Sequence, residues 1–309
     1  MKKIIIKILQ NRAKAVLSKF DPRIVAITGS VGKTSVKEAI ALVLSSKFKV
    51  RTAHKNYNNE FGVPLTILGI KSPERNPFGW LVLFWKSYFI KDYPEVLVLE
   101  FGVDHPGDMD ELCAIARPDI AVVTGISTVH AANFQSVHSL AQEKAKLTQC
   151  VKEGGVVILN EDDEKVRAME GDANERVIKY GSRSLENTYD DLEVVTREDD
   201  HFNKGESFMY TRANIRVSGD LRGELELMNM IGYAPMMASV CALTVAHEMG
   251  ADLALAMRTL RNKLGAAPGR LNPIAGIKGS LIIHDSYNAA PAAMQNGLEA
   301  LRAFTLVKE

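Results

Sequence analysis

The chain has 309 residues, 46% of them apolar and 24% charged, and its 38 Lys+Arg against 37 Asp+Glu leave a formal net charge of +1. That length has room for about two domains with sizeable cores, and the cancelled charge gives no global basicity for nucleic acid. The three cysteines, Cys113, Cys150 and Cys241, fit no metal-ligand spacing and read as reduced, mostly buried thiols of a cytoplasmic protein.

Residues 1–23 carry seven Lys/Arg against the single Asp21. Ile5, Ile8, Leu9, Ala13, Val16, Leu17 and Phe20 recur at helical spacing, so a basic amphipathic helix is expected here. Lys7 interrupts the apolar run and no small-residue cleavage site follows, which argues against a signal peptide. Two readings stay open. The helix either lies on anionic lipid at the inner face of the membrane or docks on its own domain.

The stretch from Ile24 to Ser35 runs Ile-Val-Ala-Ile-Thr-Gly-Ser-Val-Gly-Lys-Thr-Ser and then enters a helical pattern over 36–46. A β-branched strand, a Gly-containing turn and a helix N-terminus in that order build a phosphate cradle. Backbone N–H groups of Gly29, Ser30, Val31, Gly32, Lys33, Thr34 and Ser35 face the phosphates, Lys33 reaches the β/γ oxygens, and the Thr34 hydroxyl meets Mg²⁺. Ile27 stands where the common spacing has its first glycine, so the loop is a P-loop variant.

A short strand is expected at 49–52, then a polar segment, Lys55 to Glu60, leading to Gly62-Val63-Pro64. Trp80 to Trp85 with Tyr88, Phe89 and Ile90 forms a second apolar patch, too short to span a bilayer. It reads either as an interfacial element beside the N-terminal helix or as core packing. Buried strands are expected at 95–100, 119–124 and 156–159, with helices at 109–116 and 139–151 between them. This alternation predicts an α/β fold with a doubly wound, mainly parallel sheet. Short alternating runs at 192–196, 207–210, 213–217 and 224–227 predict a small antiparallel β insertion. Helices follow at 235–249 and 253–263, then a Gly/Pro/Ala-rich linker at 265–272. A strand at 280–284 and a helix at 292–304 cannot bury a core of their own, so they read as the start of a second α/β domain. The expected division is 1–23, 24–270 and 271–309.

Glu100 ends a buried strand, where an acid suited to Mg²⁺ is expected, because a carboxylate buried without a partner is costly. His130 lies in the loop after the 119–124 strand. Its place after a strand end keeps it a candidate, although a lone loop histidine is more often incidental; His54, His105 and His138 have no such claim, and spacing alone makes Lys144 a solvated helix lysine.

Several segments together resemble the Mur ligase family: Thr28 to Glu38, Asn56 to Pro64 (Asn-Tyr-Asn-Asn-Glu-Phe-Gly-Val-Pro), Glu100 to Gly107, His130 with Glu143 to Leu147, Asn160 with Asp162-Asp163, Gly269-Arg270, and Asp285 to Pro291. The Asn-x-Asn-Asn and Tyr-Asn-Ala-Ala-Pro segments resemble the branch that adds D-Ala-D-Ala to UDP-MurNAc-tripeptide in peptidoglycan precursor synthesis. The resemblance implies ATP-dependent amide formation through an acyl phosphate. Lys33 acts on the transferring phosphoryl group, Thr34 and Glu100 on a first Mg²⁺, and His130 and a carbamylated Lys144 on a second. Arg270, Asp285 and Asn288 are implied as nucleotide contacts. The family's N-terminal UDP-sugar domain has no counterpart here, and its closing C-terminal domain is matched only at its start. Ala234-Pro235 and Ala238 replace a His-Asn…Asn pattern, and His284 and Ala290 replace an Asp and an Asn. A non-catalytic ATP-binding module, one half of a split ligase completed by a partner, and a folylpolyglutamate- or cyanophycin-type ligase are the competing expectations.

Overall fold

The computed structural model describes residues 2–53, 57–74, 76–127, 133–196, 209–266, 269–276, 280–286 and 291–302. In chain order the first half comprises α1 (Lys2–Phe20), β1 (Arg23–Thr28), α2 (Lys33–Leu44), β2 (Val50–Thr52), α3 (Gly62–Leu68), α4 (Pro77–Tyr88), β3 (Val96–Glu100), α5 (Asp108–Ile115), β4 (Ile120–Val123), α6 (Val137–Gln149) and β5 (Val156–Asn160). Then come α7 (Glu164–Arg167), β6 (Arg176–Tyr180), β7 (Thr188–Thr196), β8 (Met209–Val217), β9 (Leu221–Met228), α8 (Tyr233–Glu248), α9 (Leu253–Lys263), β10 (Asn272–Ala275), β11 (Leu281–His284) and α10 (Pro291–Arg302).

Six strands form one parallel sheet in the order β2-β3-β1-β4-β5-β6. Its central strands β1, β3, β4 and β5 are apolar through their middles because both faces are covered. Val25, Ile27, Val96 and Val98 point into one core with α2, α8 and α9, while Ile24, Ala26, Leu97 and Leu99 point into a second core with α1, α3, α5 and α6. The chain reverses its winding beside β1, so the C-terminal ends of β1, β3, β4 and β5 open onto a crevice. In open α/β sheets that is where ligands bind.

The N-terminal helix docks on its own domain. Leu9, Ala13 and Val16, a stripe at i, i+4 and i+7, are buried in the second core, and Phe20 stacks on Tyr93 with ring centroids 4.7 Å apart. The apolar patch at 80–90 is α4, started by Pro77 and by Asn76, whose side chain accepts from the Phe78 and Gly79 N–H groups. Half of it serves as core: Leu83 is buried, and Trp80 and Phe84 pack against the second core.

The antiparallel insertion is β7-β8-β9. The runs expected at 207–210 and 213–217 belong, as far as the described residues show, to the single strand β8. The 265–272 linker ends inside β10, which pairs antiparallel with β11. That strand escaped the sequence reading because Asn272 and Pro273 resemble loop composition. β6 was also missed, since the exposed Arg176 and the half-buried Lys179 break the apolar run.

One cysteine expectation is overturned. Cys113 and Cys150 form a disulfide, with Cα atoms 6.2 Å apart, and only Cys241 is a free, buried thiol. The cysteines lie 37 residues apart, but the C-terminal ends of α5 and α6 lie side by side and bring them together.

Candidate nucleotide-binding site

The loop between β1 and α2 is shaped by two glycines. Gly29 has φ +151°, and a Cβ there would come within 2.1 Å of the Thr124 Oγ1 on the neighbouring strand end. Gly32 has φ +81° and precedes α2 without any side-chain cap, so the N–H groups of the first turn are left for a ligand. Thr124 braces the loop: its hydroxyl donates to the Val31 carbonyl at 2.5 Å, and its own carbonyl accepts from Asn160 Nδ2 at 2.6 Å. Asp163 accepts from the Ile126 N–H at 2.7 Å and fixes the next loop. The Lys33 ammonium donates to the Gly29 carbonyl at 2.7 Å. Burial lowers its pKa, and Arg270 adds to the lowering, against the raising influence of Glu100 and Asp104.

Glu100, at the end of β3, is buried and held on both oxygens. Thr34 Oγ1 donates to Oε2 at 3.4 Å, Asn58 Nδ2 donates to Oε1 at 3.3 Å, and the buried Lys37 ammonium lies 3.8 Å from Oε2. A hydroxyl and a carboxylate this close are the hard oxygen donors that Mg²⁺ takes when phosphate and water complete its shell. The residues therefore fit the ion. No group of three or more His, Cys, Asp or Glu suited to a metal occurs among the described residues.

Lys144 departs from the solvated lysine that spacing suggested. It is 1% exposed on α6, and its pKa is drawn down to about 7 by burial and by the Lys33 charge, against the acids Asp104, Glu143 and Glu100. Helix α6 is placed by a capping box at Ser136 and Ser139. It is fastened to α5 by Glu143, whose Oε1 accepts from the Gly107 and Met109 N–H groups at 3.0 and 2.9 Å. Lys146 pairs with Asp110 at 2.6 Å.

These groups share one cleft of about 810 Å³, lined by Ser30 to Ser35, Glu100, Asp104, Thr124 and Lys144. Its opposite wall carries Tyr233 and Pro235 from the start of α8, together with Arg270 and Asp285. Of the residues singled out in the sequence, Ser30, Val31, Gly32, Lys33, Thr34, Ser35, Glu100, Lys144, Arg270 and Asp285 converge here, with Gly29 directly behind the loop. His130 and Asn288 lie outside the described residues. Asn58, Asp104, Lys37 and Thr124 were not singled out. Lys37, Asn58 and Asp104 stood within quoted segments, but contacts between residues 40 or more apart in sequence leave no local signal.

The Mur ligase middle domain matches residues 27–237. UDP-N-acetylmuramoyl-tripeptide–D-alanyl-D-alanine ligase of Mycobacterium leprae is 31% identical over 281 residues, covering 90% of this chain and 50% of that protein. The enzyme of that name from Bacillus subtilis is 28% identical, covering 94% and 55%. The chain thus spans about half the length of these relatives. Among solved structures, the MurF ligase from Thermotoga maritima in complex with ADP superposes with a TM-score of 0.78 at 27% identity, covering 97% of this chain and 61% of that one. MurF from Acinetobacter baumannii, at 21% identity and a TM-score of 0.78, shares the fold.

Proposed function

The chain belongs to the Mur ligase family, and on that premise we propose that it supplies the ATP-binding half of a reaction joining D-Ala-D-Ala to UDP-MurNAc-tripeptide. The observation that carries the reading is the convergence of the uncapped loop at 29–32, Lys33, Glu100 and Lys144 at one end of a parallel sheet. Arg270 and Asp285 face them across the same cleft. ATP would supply the phosphoryl group that activates the peptide carboxylate, with loss of phosphate when the dipeptide amine attacks. The loop N–H groups and the α2 N-terminus would hold its phosphates. Lys33 and Arg270 would offset charge as the phosphoryl group transfers, in a cleft whose low dielectric strengthens each contact. Thr34 and Glu100 would hold Mg²⁺, and Lys37 and Asn58 would fix the Glu100 carboxylate in place. Lys144, with a pKa near neutrality, keeps an unprotonated amine fraction able to take up CO₂ as a carbamate. The resulting anion, together with His130, would serve a second Mg²⁺. Apolar Pro235 and Ala238 line the wall at α8, so the nucleotide would make its polar contacts there through Arg270 and Asp285.

The substrate assignment rests on the names of the relatives and on the Asn-x-Asn-Asn segment, whose Asn58 reaches Glu100. It predicts product only when ATP, Mg²⁺, UDP-MurNAc-tripeptide and D-Ala-D-Ala are all present. Equal product with glutamate or another amino acid in place of the dipeptide would overturn it and favour the folate- or cyanophycin-type reading. One observation points to a covering domain, on the same protein or on a partner as in a split ligase. Ile274, Ile282, Met294, Leu298 and Leu301, on the β10-β11 hairpin and α10, leave large apolar side chains exposed. A covering domain would bury them. Nucleotide binding without phosphate release, restored by such a domain, is the outcome that reading predicts.

A further inference from the structure

Helix α4 is apolar on every side, and only one of its sides is used by the fold. Its twelve residues contain no acid and a single base, Lys86. Trp80, Leu83, Phe84 and Ser87, at i, i+3, i+4 and i+7, turn inward. Phe78, Leu81, Trp85, Tyr88 and Phe89 recur at the same spacing on the opposite face and are each between 60 and 74% exposed. An all-round apolar helix belongs in a protein core or in lipid. Large contiguous apolar patches on a soluble surface mark a binding face. At twelve residues, about 18 Å, it is too short to cross a bilayer.

Its neighbour supplies the charge. α1 contains six Lys/Arg and no acid. The Arg12 guanidinium lies 3.7 Å over the Tyr88 ring and donates to the Ser87 carbonyl at 2.8 Å, and Lys19 donates to the Ile90 carbonyl. Ile4 and Ile8, both exposed, precede Arg12 at i+4 steps and so continue the stripe that meets α4. Lys7 and Lys14 are exposed on α1 away from the buried Leu9, Ala13 and Val16. The nearest acids along the chain, Asp21, Glu74 and Asp92, are outside both helices, and Asp92 is paired with Lys49.

We propose that the outer face of α4, flanked by the cations of α1, docks the protein on an anionic lipid bilayer. Aromatic and aliphatic side chains enter the headgroup–acyl boundary while lysines pair with lipid phosphates. This differs from a helix lying on lipid by its own apolar stripe, because α1 spends that stripe on the protein core. The charge pattern chooses the occupant. A second copy laid on the same face would bring two acid-free, basic helices together, whereas an anionic surface complements them. The proposal is independent of the reaction assigned to the cleft.

The test is co-sedimentation of the full chain with vesicles of phosphatidylcholine alone and of phosphatidylcholine mixed with phosphatidylglycerol. Binding is expected to the mixed vesicles only, and to weaken with added salt. The exposed-site double variant L81Q/W85Q and the charge-reversal variant K7E/K14E should each lose roughly tenfold or more in partitioning, as removing one or two buried apolar groups or surface charges does. A Trp80→Phe variant leaves Trp85 as the single tryptophan reporter, and its emission should shift to the blue on the mixed vesicles. No binding to mixed vesicles, or binding that the L81Q/W85Q variant retains in full, overturns the proposal. So does a concentration-dependent dimer in sedimentation velocity that this variant abolishes, because the face then belongs to a second copy.

Discussion

At the scale of single residues, Lys144 carries the most chemistry per atom. An ordinary lysine titrates near 10.5, whereas here burial and the Lys33 charge hold the ammonium at about 7. The folded state thus binds this proton more weakly than the unfolded chain does. The resulting cost is present in full below pH 7 and fades as pH rises toward 10.5. Replacing Lys144 by Met should therefore stabilise the protein more at pH 7 than at pH 9, by on the order of 2 kcal/mol in CO₂-free buffer. Equal gains at the two pH values in denaturant titrations would contradict the buried placement. On the proposed function, the Lys144→Ala variant should lose its contribution to the ligase reaction, and bicarbonate should not restore it, since no amine remains to carbamylate.

Gly29 is the second decisive residue. Its φ of +151° and the 2.1 Å approach of Thr124 Oγ1 to any added Cβ leave no room for a side chain. A Gly29→Ala substitution should cost on the order of 2 kcal/mol or more in stability and weaken nucleotide binding. The checks are thermal unfolding and nucleotide titration of the same preparation. An unchanged Tm with unchanged binding would mean that the loop is looser than the contacts with Thr124 imply.

At the scale of elements, α5 and α6 act as one unit. Glu143 caps α5, Lys146 pairs with Asp110, and the Cys113–Cys150 disulfide joins their far ends. A cross-link closing a loop of 37 residues is worth roughly 2–4 kcal/mol by restricting the unfolded chain. A Cys113→Ser variant should melt lower than the parent and lose any further response to reductant. Thiol titration of the denatured, unreduced protein should count one reactive cysteine, Cys241, and a count of three would remove the disulfide from the account. Since α6 carries Lys144 into the cleft, this fastening bears on the site as well as on stability.

Elements also show what the sequence made legible. β1, β3, β4 and β5 were readable because both sheet faces are covered, which forces unbroken apolar runs, and the loop at 29–32 was readable because phosphate cradles need glycine. β10 and β6 were hidden by Pro273, Arg176 and Lys179, whose propensities tertiary pairing overrides. The disulfide was hidden because linear spacing says nothing of two helix ends lying side by side. Lys144 looked solvated because its burial comes from other strands and helices, and only resemblance to a family singled it out. For the patch at 80–90 the sequence allows both core packing and an interfacial element, and the coordinates show α4 with one side packed and the other open.

At the scale of the whole molecule, a parallel sheet gathers four strand ends, and a hairpin and helix from the C-terminal segment meet them across a single cleft. Arg270 and Asp285 reach that cleft because Leu271 and Ile283 pack with Ala300 against Val194 of β7, Met209 of β8 and Ile231. The central claim is that this cleft binds ATP through the loop at 29–32. Isothermal titration of Mg-ATP into the full chain tests it most directly. One site is predicted in the parent protein, with affinity lost by tenfold or more in a Lys33→Ala variant that retains the parent's Tm. Absence of binding, or binding unchanged by that substitution, would contradict the account.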